Sequence, residues 1–180
     1  LAPGPWPGPR AETTIPAYCA ELRADPEPGA VLDLPMGLPN LERAIYHYWQ
    51  TAHGRPSLYT LNEPEPEILG RSHLARALRV AEAARVDTLP PILGELDLAV
   101  SGRNLADLGV RYVVMHERFY LRERAVATLA ILRAALGPET NITGAKEHIW
   151  RLERDRAPAA APAALETVPV DPSPGVEVTP

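Results

Sequence analysis

The chain has 180 residues, 46% of them hydrophobic, with a formal net charge of -5 and a pI near 5.6. This length suits a single domain whose core buries roughly two-thirds of its unfolded surface. The acidic balance disfavours general binding to nucleic acid or anionic lipid, the single cysteine excludes an intramolecular disulfide, and no apolar run is long enough to predict a membrane span.

Proline divides the chain into segments. Its 21 copies, against a usual level of about 5%, concentrate near the N-terminus, in two internal stretches and in the tail. We expect residues 1–14 to be a Pro-rich tether, residues 15–154 a single α/β domain, and residues 155–180 a disordered Pro/Ala-rich tail. The sequence starts at Leu1 without a methionine, and we expect it to be a processed or excised segment.

Hydrophobic periodicity and turn residues predict alternating helices and strands. Helices are expected over residues 15–24, 41–52, 66–86 and 121–136, with one or two further helical turns over 92–99. Strands are expected over residues 30–34, 57–61, 110–116 and 147–152. The first three strands are predicted to be parallel and the last to be an antiparallel edge strand, because it alternates polar and apolar residues. The predicted fold is a small three-layer, Rossmann-like α/β domain with a sheet of about four strands.

The helix over 41–52 carries the least usual residues. Its apolar stripe, which we expect to lie in the core, contains Leu41, Ile45, Tyr48 and Trp49. Asn40 is its predicted N-cap, and Gly54 suits the left-handed position that ends a helix. Tyr46 and Gln50 lie off the stripe, on the same face as Arg43, so helix packing alone does not require them. The ligand or partner candidates from this stretch are Tyr46, Gln50, His53 and Arg55.

A second group of candidates follows the predicted parallel strands, where ligands bind in open α/β sheets. Asp33 is an acid inside an apolar strand, and a buried acid needs a partner. Arg55, Arg111 or a backbone amide at a helix start could supply that partner, and the sequence does not choose among them. The other candidates at these strand ends are Asn62, His116 and Glu117.

Known catalytic and cofactor motifs are not found in the sequence. It contains no G-x-G-x-x-G, no phosphate-binding P-loop and no G-x-S-x-G. Its five histidines include no H-x-x-x-H or H-x-H pair, so we predict no metal site. Cys19 is expected to be a small buried apolar residue and not a nucleophile. We therefore predict no cofactor and no catalytic residue.

Three segments in this order carry a resemblance to a known family: AVLDLPMG (30–37), YHYWQTAHGRPSLYT (46–60) and LADLGVRYVVMHE (105–117). Together they resemble the soluble C-terminal domain of large polytopic bacterial membrane proteins related to the GT-C glycosyltransferases, which use lipid-linked sugar donors. In that group an acid followed by Leu-Pro ends the first strand, as Asp33 does here. The chain departs from the group at LNEPEPE (61–67), where a Gly-rich aromatic turn is usual.

The resemblance implies an accessory domain, not catalytic by itself, on the extracytoplasmic (periplasmic) face of a bacterial membrane, tethered by preceding membrane helices. The implied partners are the membrane domain of the same parent chain and a glycan or lipid-linked sugar, and nucleic acid is not among them. The implied role is acceptor or partner recognition.

Two alternatives to this role stay open. The first is a free-standing small α/β hydrolase or transferase that uses Asp33, His53 and His116. The second is a protein-interaction module that exposes Tyr46, Trp49 and Arg55 on one patch.

Overall fold

The computed structural model describes residues 14–58, 67–83 and 97–153. The helices in these ranges are α1 (Tyr18–Ala24), α2 (Asn40–His53), α3 (Ile68–Arg71), α4 (His73–Ala83), α5 (Leu98–Asp107) and α6 (Arg122–Leu136). The strands are β1 (Ala30–Leu34), β2 (Val110–Met115) and β3 (His148–Arg151), and a 3₁₀ turn (Glu117–Phe119) follows β2. The predicted tail and all of the predicted tether except Thr14 lie outside the described residues.

The sheet is small and mixed. Its central strand β2 pairs in parallel with β1 and antiparallel with β3, which confirms the predicted antiparallel edge strand. Ser57, the first residue of the strand predicted over 57–61, makes an isolated parallel bridge to Val31 of β1. The rest of that predicted strand lies outside the described residues. The described chain is therefore α/β, with helices around a three-stranded mixed sheet.

Strands β1 and β2 form the centre of the core. Four of the five residues of β1 and five of the six residues of β2 are buried, so side chains on both faces of this parallel pair are shielded from water. Helix α1 packs against α2, and helices α4, α5 and α6 pack on one another. The largest fully buried side chains include Tyr18, Tyr46, Trp49 and Trp150.

The buried face of α2 differs from the predicted one. Tyr46 and Trp49 are completely buried and Arg43 is 4% exposed, whereas Tyr48 is 39% exposed. The buried positions include 43, 46, 49 and 53, which share a helix face through spacings of three and four. The prediction that Tyr46 lies off the core face is wrong, because periodicity ranks residues by polarity and cannot see that a tyrosine hydroxyl finds a buried acceptor. Here the Tyr46 hydroxyl donates to the carbonyl oxygen of Pro35 at 3.3 Å.

Helix boundaries differ from the sequence predictions in several helices, beginning with α1, which starts at Tyr18 and not at residue 15. Helix α2 begins at Asn40, so its N-cap is Pro39 and not Asn40, while its predicted end is confirmed by Gly54 at φ 71°. The helix predicted over 66–86 is interrupted at Ser72, whose backbone is extended. Helix α5 extends well beyond the turns predicted to residue 99. The carboxylate of Asp97 accepts a hydrogen bond from the Val100 amide at 3.0 Å and caps α5.

Gly102 permits the close approach of α5 to α6. A Cβ at this position would lie 2.5 Å from the carbonyl oxygen of Ala135 and 3.0 Å from Cδ2 of Leu136. We expect Gly102→Ala to lower the free energy of unfolding by about 1–3 kcal/mol through overpacking, although alanine is the better helix former by about 1 kcal/mol.

Gly70 of α3 is the matched control for Gly102, because a Cβ added at Gly70 would meet no heavy atom of the described residues within 4 Å. Gly70→Ala should be neutral or slightly stabilising. Urea denaturation of both variants measures the difference, and equal effects on the free energy of unfolding would contradict the close helix packing.

Candidate functional site

The carboxyl ends of β1 and β2 meet in a buried ion pair. The register places Leu34 opposite Met115, so Asp33 and His116 emerge on neighbouring strands. Nε2 of His116 lies 3.0 Å from Oδ1 of Asp33, and Nδ1 lies 3.9 Å from Oε1 of Glu147. The side chains of Asp33 and His116 are at most 3% exposed. His116 is therefore a partner of Asp33 that the sequence alternatives did not include.

Four aromatic rings surround the His116 imidazole. Its centroid lies 4.8 Å from the ring of Trp49, 5.2 Å from Tyr46, 5.9 Å from Phe119 and 6.1 Å from Tyr18. A protonated imidazole gains from the negative faces of such rings when water is excluded. We refer to the set as the His116 cluster, with the members Tyr18, Asp33, Tyr46, Trp49, His116, Phe119 and Glu147.

The His116 cluster favours the protonated imidazole. Burial alone lowers the pKa of His116, but the hydrogen bond that its Nε2 donates to Asp33 and the interaction with Glu147 outweigh burial, so the pKa is raised above its ordinary value of 6.5. The pKa of Glu147 is correspondingly lowered, because its interactions with His116 outweigh its own burial. Both shifts favour an imidazolium that is hydrogen-bonded to Asp33 and lies 3.9 Å from Glu147, too far for a second hydrogen bond.

Cys19 lies beside this cluster and is 1% exposed. Burial raises the pKa of its thiol to about 12, so the reactive thiolate is disfavoured at neutral pH. The expectation that Cys19 is a buried residue is confirmed.

His53 and Arg55 fasten the connection between α1 and β1. The Arg55 guanidinium donates to the carbonyl oxygens of Leu22 at 2.6 Å, Glu27 at 2.7 Å and Asp25 at 2.7 Å. His53 is 2% exposed, and its Nδ1 accepts a hydrogen bond from the Arg55 amide at 3.1 Å. Burial lowers the pKa of His53, which favours the neutral ring. Both side chains therefore bind the protein's own backbone.

The exposed patch expected from Tyr46, Trp49 and Arg55 is wrong. Tyr46 and Trp49 are completely buried, and Arg55 is 7% exposed. The aromatic rings pack on His116, and the guanidinium fills its hydrogen bonds with loop carbonyls. A partner could reach these side chains only after the core had opened.

The remaining candidates do not join the His116 cluster. Gln50 is half-buried, and its Oε1 lies 3.4 Å from Nδ1 of His47. Glu117 is exposed, and its Oε2 lies 3.2 Å from Nε2 of His148. Asn62 lies outside the described residues.

Asp25 is the centre of a second charged cluster that the sequence did not reveal. Its carboxylate accepts hydrogen bonds from Arg111 Nε at 3.2 Å, from Arg151 Nη2 at 3.1 Å and from the Tyr112 hydroxyl, and Arg55 Nη2 lies 3.7 Å away. Burial raises its pKa, but these donors outweigh burial and lower the pKa to about 2. The cluster ties the α1–β1 loop to β2 and β3. Asp25 sits in a Pro-rich turn, where no local pattern points to partners on distant strands.

Glu82 is a further buried charge that sequence reasoning missed. Its Oε1 accepts from the Met36 amide at 2.8 Å and the Tyr120 hydroxyl at 3.2 Å, and its Oε2 accepts from the Gly37 amide at 2.9 Å. Burial raises the pKa of Glu82 more than these donors lower it. A signal was available, since Glu82 follows the buried Leu78 by four residues and so shares its helix face.

The larger pockets lie away from the Asp33–His116 pair. One of about 440 Å³ is bordered by Glu27, Arg111 and Arg151, and one of about 380 Å³ lies beside Asp25. A smaller one, of about 150 Å³, lies at the carboxyl end of β1. Neither Asp33 nor His116 lines any of these three pockets.

Metal ligands and membrane-spanning helices are not found in the three described ranges. Within residues 14–58, 67–83 and 97–153, no group of three His, Cys, Asp or Glu side chains could hold a metal ion. No helix in the same ranges is long and apolar enough to cross a membrane.

Comparison with known proteins gives no family assignment. The chain matches no protein-family model, and no curated protein or solved structure is significantly similar to it. The geometry therefore defines an architecture and not a family. The described chain is α/β, with helices around a small mixed sheet and a buried charged cluster at the strand ends.

We expect the contribution of His116 to stability to depend on pH. Because the folded-state pKa is raised above the unfolded value of 6.5, the contribution is fully present below that value and is lost as pH rises through the folded-state pKa. His116→Gln should lower the free energy of unfolding by about 3–5 kcal/mol at about pH 6 and by less at about pH 9. Urea denaturation of both proteins at the two pH values measures this difference.

His53 provides a control of opposite sign. Its pKa is lowered in the folded protein, so its contribution is present above 6.5 and is lost as pH falls through the folded-state pKa. The effect of His53→Gln on unfolding should therefore grow, not shrink, as pH rises. A His116→Gln effect that stays constant across this range would show that the imidazole is not charged in the fold.

Proposed function

We propose that the described part of the chain is a non-catalytic accessory domain of a membrane protein, held at the extracytoplasmic face of a bacterial membrane. One observation supports the non-catalytic part of the proposal: Asp33 and His116, two of the polar residues expected to form a site at the strand ends, bind each other inside the core. Asp33 and His116 are at most 3% exposed and 3.0 Å apart. A substrate atom could not be placed against them without opening the aromatic shell.

The three segments that carry the family resemblance supply four members of the His116 cluster. Asp33 comes from the first segment, Tyr46 and Trp49 from the second, and His116 from the third. The contacts among them support reading the segments as the signature of a fold, because residues that hold a core together are constrained as strictly as residues that perform catalysis.

The proposed role is recognition of an acceptor or partner by a parent protein related to GT-C glycosyltransferases. Its partners would be the membrane domain of the same parent chain and a glycan or lipid-linked sugar. The four-stranded, Rossmann-like sheet belongs to this proposal, and the parallel bridge between Val31 and Ser57 supports it.

Burial argues against the alternative of a small hydrolase or transferase. That enzyme would need Asp33, His53 and His116 to reach a substrate, and their exposed fractions are 2%, 2% and 0%. His53 and His116 also have opposite pKa shifts for internal reasons, namely burial for one and two carboxylates for the other.

Reporter fusions to the complete parent protein test the location. Alkaline phosphatase, which folds only outside the cytoplasm, is fused after Glu153, where the described residues end. We expect this fusion to be active and a matched β-galactosidase fusion at the same position to be inactive, because the second enzyme works only in the cytoplasm. The reverse pattern would refute an extracytoplasmic domain.

A further inference from the structure

The smallest of the three pockets brings two arginines together at the carboxyl end of β1. Its volume is about 150 Å³, with Arg79 of α4 and Arg124 of α6 in its lining. Leu38, Phe119 and Leu121 supply apolar surface beside them. The pocket therefore pairs positive charge with an apolar wall, a combination that neither the His116 cluster nor the Asp25 cluster presents.

Both guanidiniums keep hydrogen-bond donors that the described residues do not use. Nη1 of Arg124 donates to the carbonyl oxygen of Glu82 at 2.7 Å, which fixes this guanidinium at the pocket. Nη1 of Arg79 lies 3.9 Å from Oε2 of Glu82, too far for a hydrogen bond. A guanidinium carries five N–H donors, and among the described residues the other donors of these two side chains have no hydrogen-bond acceptor.

Glu82 does not cancel this charge. Its carboxylate also lines the pocket, but it is only 4% exposed and already accepts hydrogen bonds from two backbone amides and the Tyr120 hydroxyl. Two guanidiniums against one carboxylate leave one net positive charge at the pocket. The chain as a whole is negative, so this positive charge is local.

Gly37 keeps the space that Arg79 occupies. A Cβ at position 37 would lie 2.6 Å from Nη1 of Arg79 and 3.3 Å from Oε2 of Glu82. The absence of a side chain at Gly37 lets the Arg79 guanidinium lie over the turn that follows β1, and a larger residue there would displace this partly exposed side chain.

We propose that this pocket binds a phosphate ester, with the phosphate oxygens between Arg79 and Arg124 and the organic substituent against Leu121. Arginine forks match phosphate oxygens in two-point hydrogen bonds that are stronger than neutral ones. Leu121 is 68% exposed, and an apolar substituent would cover it. The pocket is smaller than the roughly 300–1,000 Å³ that encloses a drug-sized ligand, so it holds the phosphate and the first part of the substituent. This site does not depend on the accessory role, which would stand if the site failed.

Isothermal titration calorimetry on the whole 180-residue chain tests the pocket with inorganic phosphate and with monomeric dihexanoyl phosphatidic acid. We expect the ester to bind more tightly than inorganic phosphate, because it also covers Leu121. Arg79→Gln and Arg124→Gln should each weaken ester binding by about tenfold or more. Arg76→Gln is the matched control, because Arg76 is exposed on the same helix, contacts His73 at 3.2 Å and does not line the pocket.

Fold loss is separated from ligand loss by thermal denaturation of each variant. Arg124 also bonds the Glu82 carbonyl, so its variant could lose stability. Among the described contacts, Arg79→Gln removes only an ion pair at 3.9 Å. We therefore expect this variant to stay folded, so that a loss of ester binding reports on the pocket. Ester binding that Arg79→Gln and Arg76→Gln weaken equally would overturn the site, as would a wild-type chain that binds neither the ester nor vesicles containing phosphatidic acid.

A vesicle-binding experiment distinguishes a membrane headgroup from a soluble phosphate ester as the ligand. Zwitterionic vesicles are compared with the same vesicles containing phosphatidic acid. Binding to the anionic vesicles alone, lost in Arg79→Gln, would support the pocket with a membrane headgroup as its ligand. Binding of the monomeric ester, with the same loss, would support it with a soluble ligand. Equal affinity for inorganic phosphate and the ester would overturn the contact with Leu121.

Discussion

The buried ion pair between His116 and Asp33 is the contact on which the rest of the structure depends. It joins the ends of β1 and β2. Glu147, which directly precedes β3, also lies near the His116 ring and so connects β3 to this pair. The aromatic rings around the imidazole come from α1, α2 and the 3₁₀ turn. A buried charge that loses one partner is strongly unfavourable, so these elements can be placed only where all of the contacts are made together.

A buried charge needs its partners within the protein, and this need explains why the polar residues at the strand ends are not available to a substrate. Their burial is consistent with the proposed accessory role. Asp33, His53 and Arg55 are the residue types that enzymes use, yet each has its hydrogen-bonding groups directed at another part of the chain. Asp25 likewise connects elements at the other end of the strands, where it forms ion pairs with Arg111 of β2 and Arg151 of β3. The buried charges of the described residues mainly connect elements, whereas Arg79 and Arg124 keep spare donors and line a pocket at the carboxyl end of β1.

Local signals predicted the elements better than the contacts among them. The bounds of β1 and the stop at Gly54 follow from flanking turn residues and match the structure. The buried face of α2 could not be predicted, because polarity alone does not show that Tyr46 buries its hydroxyl against a distant carbonyl. His116, the partner of Asp33, and Arg111, one partner of Asp25, lie 83 and 86 positions away along the chain, and the parallel pairing of β1 with β2 brings them near.

The protonation state of His116 is the most direct test of the claim that the strand ends form a buried structural ion pair. Nitrogen-15 NMR of histidine-labelled protein at about pH 7, where an exposed histidine is mostly neutral, reports the ring directly. The structure predicts that both ring nitrogens of His116 are protonated and that their protons exchange slowly with water, since the side chain is completely buried. A neutral ring, or ring protons that exchange as fast as those of exposed His73, would contradict it.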